Sequence, residues 1–450
     1  MNTGKVILVG LARPGFDAET GLRLYTESVA AVEKLGYTVI RPDGLVIDPD
    51  EAGRLAAGYR GAAADGLILQ CATFVDGRFI TRIAAELDLP ILIWALPEPE
   101  IGGWLRLNSL TGANLASSLL ARLGRRFSYV YGFPSDEKLA QKLGRWLAAA
   151  HTARMLRESV IAEVGNPPPG FYTSAVDALA LMHKTGIRLT QIDLQAVFRK
   201  AAEVPAERYN PVIEADRAVV KGLNQLQPDH VVKSAQFALA LRDILGETKP
   251  AAVGIRCWPE FFNEYGAAAC STLSRLIEEG IPAACEADTL GAATMLIQFY
   301  LTGQPTFLAD LVHVDRERNT CTFWHCGVGA LSLASERTGP IAGVHPNRKF
   351  GFALNNALKS GQVTIARLGQ GSEGFRMLVL RGEALDTPNR FWGTSVEVRM
   401  EGPVQDVLDT VICNGFEHHF SLVWKDVAAE LVGLCSLLDI PSVTLQSQKG

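Results

Sequence analysis

An α/β fold is what this sequence predicts: two doubly wound parallel-sheet domains, then a small β-rich, barrel-like C-terminal domain. Three observations carry that expectation. Strand-like and helix-like segments alternate through the first third of the chain and again before residue 330, the pattern of right-handed βαβ crossovers around a parallel sheet. The run Gly165-Asn166-Pro167-Pro168-Pro169-Gly170 breaks the chain between these two regions, since proline and glycine are the strongest local punctuators. Beyond residue 330, strand-like runs are separated by glycine-rich turns with little helix before residue 424, which suggests a small antiparallel sheet or barrel. The expected domains are 1–157, 158–330 and 331–450, in keeping with 450 residues and roughly 100–200 residues per domain.

The elements follow in order. Apolar residues 6–11 read as a buried strand, and 20–35 as an amphipathic helix ended by Gly36. Strands at 38–41, 66–71, 91–95 and 129–132 alternate with helices at 50–60, 79–87 and 112–123, and a long helix covers 136–157. After the proline break, helices are expected at 174–184, 194–202, 214–224 and 229–245. Strands at 251–255, 283–285 and 306–311 follow, with a helix at 267–279 between the first two. The last region offers strands at 363–368, 376–383 and 395–400 and a helix at 424–438. There is neither an internal repeat of 20–50 residues nor a low-complexity tract.

Composition narrows the classes of function. With 48% hydrophobic and 20% charged residues the chain is an ordinary folded protein, not a disordered one. A net charge of −5 argues against nucleic acid as a partner, because such surfaces are basic. No apolar run approaches the roughly 18 residues of a membrane span. The start of the sequence lacks the pattern of a secretory leader. Eight cysteines form no Cys-x-x-Cys pair, so zinc-ribbon and thioredoxin readings fail, and a reduced, cytoplasmic protein is expected.

Three separated segments carry candidate chemistry. Arg256-Cys257-Trp258-Pro259-Glu260 follows the strand at 251–255, so Glu260 lies at or beyond the carboxyl edge of a parallel sheet, where ligands of open α/β sheets bind. A helix-capping loop glutamate is the plain alternative. Cys285-Glu286-Ala287-Asp288 closes another strand of the same region. Residues two apart on an extended chain face the same side, so Glu286 and Asp288 could enter one site, while Asp288 also suits an N-cap. Asp310 is a weaker acid of the same type. Gly415-Phe416-Glu417-His418-His419 adds adjacent imidazoles, of which only one should reach a given ion. Carboxylates with imidazole suit a hard or borderline divalent cation such as Mn²⁺. His325-Cys326-Gly327 could line the same cleft, although two neighbouring residues are a poor tetrahedral zinc site. Dinucleotide, Walker and Gly-x-Ser-x-Gly templates are absent. Arg13, in the first strand-to-helix loop, could meet a substrate anion or be a solvated surface residue.

Segments 251–330 and 411–441 resemble the L-fucose isomerase and L-arabinose isomerase superfamily, especially its shorter fucose-isomerase-like members. The resemblance rests on Gly254-Ile255-Arg256-Cys257-Trp258-Pro259-Glu260, Cys285-Glu286-Ala287-Asp288, Leu301-Thr302-Gly303-Gln304-Pro305 and Trp324-His325-Cys326-Gly327, in that order. Gly415-Phe416-Glu417-His418, Asp426-Val427-Ala428 and Ile440-Pro441 complete it. It implies two flavodoxin-like α/β domains before the β-rich one, and an aldose–ketose isomerase holding Mn²⁺, with Co²⁺ or Mg²⁺ as alternatives.

By the resemblance, Asp288 and His418 are metal ligands. The family's usual glutamate position falls in the helix at 267–276, which contains no acid. Glu260 or Glu264 must therefore supply the third ligand, and Glu260 is preferred for its place at the strand end. Glu260 and Asp288 would also move the proton between C1 and C2 through an enediolate, with Glu286, Trp258, His419, Arg13 and Lys359 as substrate contacts. The family's sugars run from L-fucose, D-arabinose and L-arabinose to sulfoquinovose, the 6-sulfonated glucose. A sulfosugar would need an anion clamp, for which Arg13, Arg78, Arg348 and Lys359 are candidates. The resemblance further implies a homo-oligomer, usually a hexamer, whose sites are completed by a neighbour's N-terminal region. A non-catalytic sugar-binding or regulatory protein, and a metal-dependent epimerase or aldolase, are the competing readings.

Overall fold

Val6-Ile7-Leu8-Val9 is apolar at every position, as a strand covered by helices on both faces must be. In the computed structural model, which describes residues 4–445, this run lies in a buried strand of the first of two compact units, up to Arg154 and from Met155 onward. The first unit alternates β1 (Lys5–Leu11), α1 (Ala18–Lys34), β2 (Thr38–Ile40), α2 (Pro49–Gly58) and β3 (Gly66–Cys71). It continues with α3 (Gly77–Glu86), β4 (Ile91–Ala95), α4 (Ser109–Arg122), β5 (Phe127–Tyr131) and the long α5 (Glu137–Glu158). The strands order β2-β1-β3-β4-β5, all parallel, the doubly wound order with its switch point beside β1. Ile7, Val9, Leu67, Leu69 and Ile93 form a buried core with Phe79, Ile80 and Ile83 of α3. Asp17, Asp48 and Asp76 accept backbone N–H groups at three helix starts, satisfying donors that have no partner within the helix.

The second unit opens with β6 (Val160–Val164), α6 (Ala178–Thr185), β7 (Arg188–Ile192), α7 (Leu194–Ala202), α8 (Ala206–Val219) and α9 (Pro228–Thr248). Then come β8 (Ala252–Ile255), α10 (Cys270–Glu278), β9 (Ala283–Cys285) and α11 (Thr289–Thr302). Its parallel sheet orders β7-β6-β8-β9. The chain direction reverses across the sheet between β6 and β8, and that switch point opens a crevice at the carboxyl edge.

The remaining elements are mostly antiparallel strands. They are β10 (Thr306–Asp315), β11 (Thr320–His325), β12 (Ala342–His345), β13 (Phe350–Leu354), β14 (Asn356–Ala357), β15 (Gly361–Gly371), β16 (Gly374–Ala384) and β17 (Thr394–Met400). The last are α12 (Val404–Cys413), β18 (His419–Val423), α13 (Ala428–Leu438) and β19 (Ser442–Thr444). Six strands pair in a closed ring: β17 with β11, β11 with β10, β10 with β18, β18 with β15, β15 with β16, and β16 back to β17. Closure removes the exposed edges an open sheet would leave. The β10 and β11 strands, which precede the sequence-based boundary at 330, belong to this ring.

Several elements differ from the sequence reading for physical reasons. The β6 and β7 strands were not expected; β7 is a half-exposed edge whose Arg-Leu-Thr-Gln-Ile pattern carries little apolar signal. The α12 helix lies where little helix was expected, and only Val404, Val407 and Val411 of it are buried. The β18 strand hides behind the His-His pair.

Gly327 is one place where the backbone is tight. Its φ is +99°, and a Cβ there would lie 2.6 Å from both the Ala353 Cβ and the Leu354 carbonyl oxygen. Gly327→Ala should therefore cost about 2–4 kcal/mol from positive φ plus overpacking. Urea unfolding would report this as a lower midpoint at constant slope, and an unchanged midpoint would refute the close approach.

Candidate functional site

The site grows from the two strand ends beside the switch point. After β9 the chain turns through Glu286 and Ala287, whose φ values of +57° and +49° are both left-handed. Two consecutive non-glycine residues there cost roughly 1–2 kcal/mol each, and such strain persists only where the surroundings hold it. Two contacts hold it here. The Ala287 N–H donates to the Ile255 carbonyl at 3.0 Å, and Gly254 leaves room, since a Cβ there would meet the Ala287 backbone at 3.3 Å. Asp288 then caps α11, accepting the Gly291 N–H at 2.8 Å.

Asp288 is the centre of a buried polar network. Arg367 of β15 reaches both of its oxygens, at 2.5 and 3.2 Å, and each side chain is 1% exposed. Glu417 lies 3.5 Å from the same guanidinium and accepts the Gln370 N–H at 2.9 Å. Burial opposes ionisation of Asp288, but Arg367 and His419 outweigh it and hold the carboxyl far below the usual range. Burial likewise opposes charge on Arg367, and the two carboxylates restore it.

The Asp288 carboxylate also lies 2.8 Å from His419 Nδ1. An ionised carboxylate only accepts, so Nδ1 carries a proton and Nε2 is the ring nitrogen turned away from Asp288. That atom faces Glu286 Oε2 at 3.6 Å, Asp310 Oδ1 at 3.9 Å and Cys285 Sγ at 3.8 Å. His418 Nε2 is 3.0 Å from Glu286 Oε2. Both adjacent histidines thus approach one carboxylate, with rings 3.9 Å apart. Strand alternation does not apply, because β18 begins at His419 and His418 still belongs to the turn.

Among the described residues, Glu286, His418 and His419 form one grouping able to hold a metal ion, with donor atoms all within 4.8 Å of one another. Cys285, His325 and His419 form a second, and Cys257, Cys285 and Glu286 a third. Donor type favours the first, even though, against the opposing effect of burial, the nearby carboxylates raise the His418 pKa. The Cys326 N–H donates to His325 Nδ1 at 2.7 Å, so the neutral His325 has its proton on Nε2, which points 2.8 Å toward Cys285 Sγ. Burial keeps His325 uncharged and pushes the Cys285 thiol upward, away from thiolate. Glu286, His418 and His419 present oxygen and imidazole donors. Their 3.0 and 3.6 Å spacings match neighbouring ligands around an ion with bonds of about 2.1 Å. Asp310 adds a fit of its own: Oδ1 is buried with no hydrogen-bond partner. Burial raises its pKa, against the opposing pull of both histidines.

Of these groups Glu286 lines a cavity of about 340 Å³, together with His325, Cys326, Trp258, Phe171 and Arg348 among others, while His418, His419 and Asp310 are not among its lining residues; the volume is within the usual size for small-ligand sites. Phe171 packs edge-on against both Trp258 (5.2 Å) and His418 (5.6 Å). A larger concavity of about 750 Å³ bounded by Val379, Arg381, Glu401 and Val432 carries no histidine or cysteine, and Arg381 is paired there with Glu401 at 2.9 Å. The smaller cavity is the one that carries histidine, cysteine and Glu286.

The other sequence candidates lie as follows. Glu260 is engaged by Arg256, which donates to its two oxygens at 2.7 and 2.5 Å; this partner holds its carboxyl below the usual range. Neither Glu260 nor Asp288 belongs to the metal-capable groupings among the described residues. Glu264 accepts Gln195 Nε2 at 2.6 Å. Lys359 is outside the cavity lining, its carbonyl accepting Trp424 Nε1 at 2.9 Å. Arg13 lies in the first unit, its guanidinium 5.8 Å over the Phe74 ring, and Arg78 there pairs with Asp76 at 2.8 Å. Sequence reasoning missed Arg367, and noted Glu417 only as the residue before the histidine pair. The signal for Arg367 was present: an arginine inside the apolar run Val363-Thr364-Ile365-Ala366-Arg367-Leu368 needs a buried partner.

Residues 8–157 match the family model described as the N-terminal domain of fucose/sulfoquinovose isomerase. The chain is 39% identical over 445 residues to a sulfoquinovose isomerase of Alkalicoccus urumqiensis, covering 98% of this chain and 99% of that protein. Proteins of the same name from Priestia megaterium and Clostridium sp. (strain MSTE9) are 38% and 35% identical, covering 98% and 97% of this chain and 99% and 98% of their own. A tagatopyranose-bound solute-binding protein from Agrobacterium vitis aligns over 67% of this chain and 90% of its own at 15% identity, with a TM-score of 0.17, too low to bear on the fold.

Removing Arg367 would strand the Asp288 charge in the interior. Arg367→Ala should destabilise the protein by about 3–5 kcal/mol, read by denaturant unfolding. Adding Asp288→Asn should recover part of that loss, and a double variant no more stable than Arg367→Ala would contradict the pairing.

Proposed function

The chain belongs to the fucose/sulfoquinovose isomerase family and is an aldose–ketose isomerase; we propose that it uses a divalent cation, Mn²⁺ being the first choice, to convert sulfoquinovose to the corresponding 6-sulfonated ketose. The observation that carries the site assignment is the Asp288–His419 contact, which leaves His419 Nε2 facing Glu286. Glu286, His418 and His419 would hold the ion, and Asp288 would orient His419, as a carboxylate behind a ligating imidazole commonly does. A bound cation supplies Lewis-acid polarisation of the sugar carbonyl. Substrate identity is supported by the names of the full-length relatives.

The proton is moved by the protein. Asp310 has the raised pKa and the uncommitted buried oxygen that suit a carboxyl taking a proton from C2 of the open-chain aldose and returning it at C1. The sugar passes through the enediol, with a hydroxyl proton moving from O2 to O1, so atoms balance and no oxidant is required. Trp258 and Phe171 supply apolar faces against the sugar ring or chain.

Metal analysis of protein purified without chelator, followed by turnover in D₂O, tests the assignment. Glu286→Gln and His418→Ala should lose both metal and activity. Asp310→Asn should keep its metal while kcat falls about 10²–10⁴-fold. Glu260→Gln should keep its metal; metal loss in that variant alone, with Glu286→Gln still loaded, would replace this ligand set by one built on Glu260. Carbon–carbon cleavage of labelled sugar, or a retained aldehyde, would replace the isomerase reading with an aldolase or epimerase.

A homo-oligomer is part of the same proposal. Ile101 and Trp104, on the loop after β4, are 97% and 94% exposed, apolar surface of the kind a second copy would cover. Sedimentation of the Ile101→Ser, Trp104→Ser double variant should show a smaller assembly than the parent; equal assemblies would refute this role for the loop.

A further inference from the structure

Arg348 lines the same cavity as Glu286 yet forms no ion pair with it or with any other carboxylate among the described residues. It sits in the turn between β12 and β13, where its backbone N–H donates to His345 Nδ1 at 3.3 Å, and the Lys349 N–H donates to the His345 carbonyl at 2.6 Å. The turn is thereby fixed, and the guanidinium lies 5.6 Å over the Phe262 ring. Asn347 lines the cavity beside it. Burial, and then Arg348 itself, hold His345 down at about 4, so that ring is neutral near pH 7. The other arginine near this edge, Arg256, is occupied by Glu260. Arg348 is the one arginine or lysine among the cavity's lining residues.

We propose that Arg348, with the Asn347 amide, forms an anion subsite that takes the C6 sulfonate of the sugar; this rests on sulfoquinovose being the substrate. Isomerisation occurs at C1 and C2, so the sulfonate lies at the opposite end of the carbon chain from the reacting atoms. A cation there must stay clear of the acid cluster, and Arg348 does: it borders the cavity without contacting Glu286. A sulfonate spreads one negative charge over three oxygens, which the planar, multi-donor guanidinium matches better than an ammonium would. A neutral sugar would leave Arg348 without its partner, which selects against it.

The experiment compares sulfoquinovose with its sulfonate-free counterpart, 6-deoxyglucose, across the parent, Arg348→Gln, Arg348→Lys and Lys349→Gln. Losing a charge-assisted contact should raise the sulfoquinovose KM roughly tenfold to a hundredfold in Arg348→Gln with kcat nearly unchanged. Turnover of 6-deoxyglucose should not fall. Arg348→Lys should lie between, and Lys349→Gln should match the parent. Thermal stabilisation by sulfoquinovose should disappear in Arg348→Gln, a reading that needs no turnover. If the parent converts sulfoquinovose and Arg348→Gln keeps its KM and its thermal shift, the subsite is wrong while the proposed reaction stands. If the parent neither converts nor is stabilised by sulfoquinovose, the substrate reading fails, and the subsite with it. Should Arg348→Gln fold poorly, Asn347→Ala must show a smaller KM rise of the same selectivity, and its absence overturns the proposal.

Discussion

The buried pair of Arg367 and Asp288 is the constraint on which the site depends. Two ionised groups at 1% exposure survive only because each neutralises the other and their remaining hydrogen-bond capacity is used. Arg367 comes from a barrel strand and Asp288 from the turn after a parallel strand. Their pairing fastens the turn to the barrel and fixes where Glu286 emerges. Gly291 belongs to the same solution: a Cβ there would lie 2.6 Å from Asp288 Oδ2 and 3.2 Å from an Arg367 nitrogen.

From that pair the protonation states follow in sequence. An ionised Asp288 keeps a proton on His419 Nδ1 and leaves Nε2 as the nitrogen that faces Glu286. The strained Glu286–Ala287 turn brings a carboxylate to that nitrogen, and His418 approaches the same oxygen from the turn before β18. On β11, one strand removed across β10, the neutral His325 takes the opposite tautomer because its Nδ1 is occupied by the Cys326 N–H. Two neighbouring imidazoles thus differ in role through one backbone and one carboxylate contact. The thiol side stays protonated and apolar, while the carboxylate side can serve a cation and a sugar.

Most of the α/β framework was legible along the chain. Residues 66–71, 91–95, 194–202 and 283–285 were read with the bounds they adopt, because each is an apolar run or amphipathic stripe between clear breaks. The edge strand β7, with polar residues on half-solvated faces, was not legible, nor was β6, which follows α5 after one residue. The barrel was expected as a texture, but its closure through the β16–β17 pairing depends on contacts between residues far apart in sequence. The position of β10 and β11 within that ring was invisible for the same reason.

By itself the sequence singled out three segments as candidates, and strand-end logic placed two of them, the turn at 285–288 and the loop after β8, at one carboxyl edge; the His-His pair reaches Glu286 from the barrel. Their division of labour was decided only by the tertiary structure. Arg256 lies four residues before Glu260 and engages it locally, whereas the partners of Asp288 come from 79 and 131 residues away. A carboxylate's availability depends on which cation reaches it first in the folded chain. Residue type supplies the donor atoms, but burial and the nearest countercharge decide which of them is free to act.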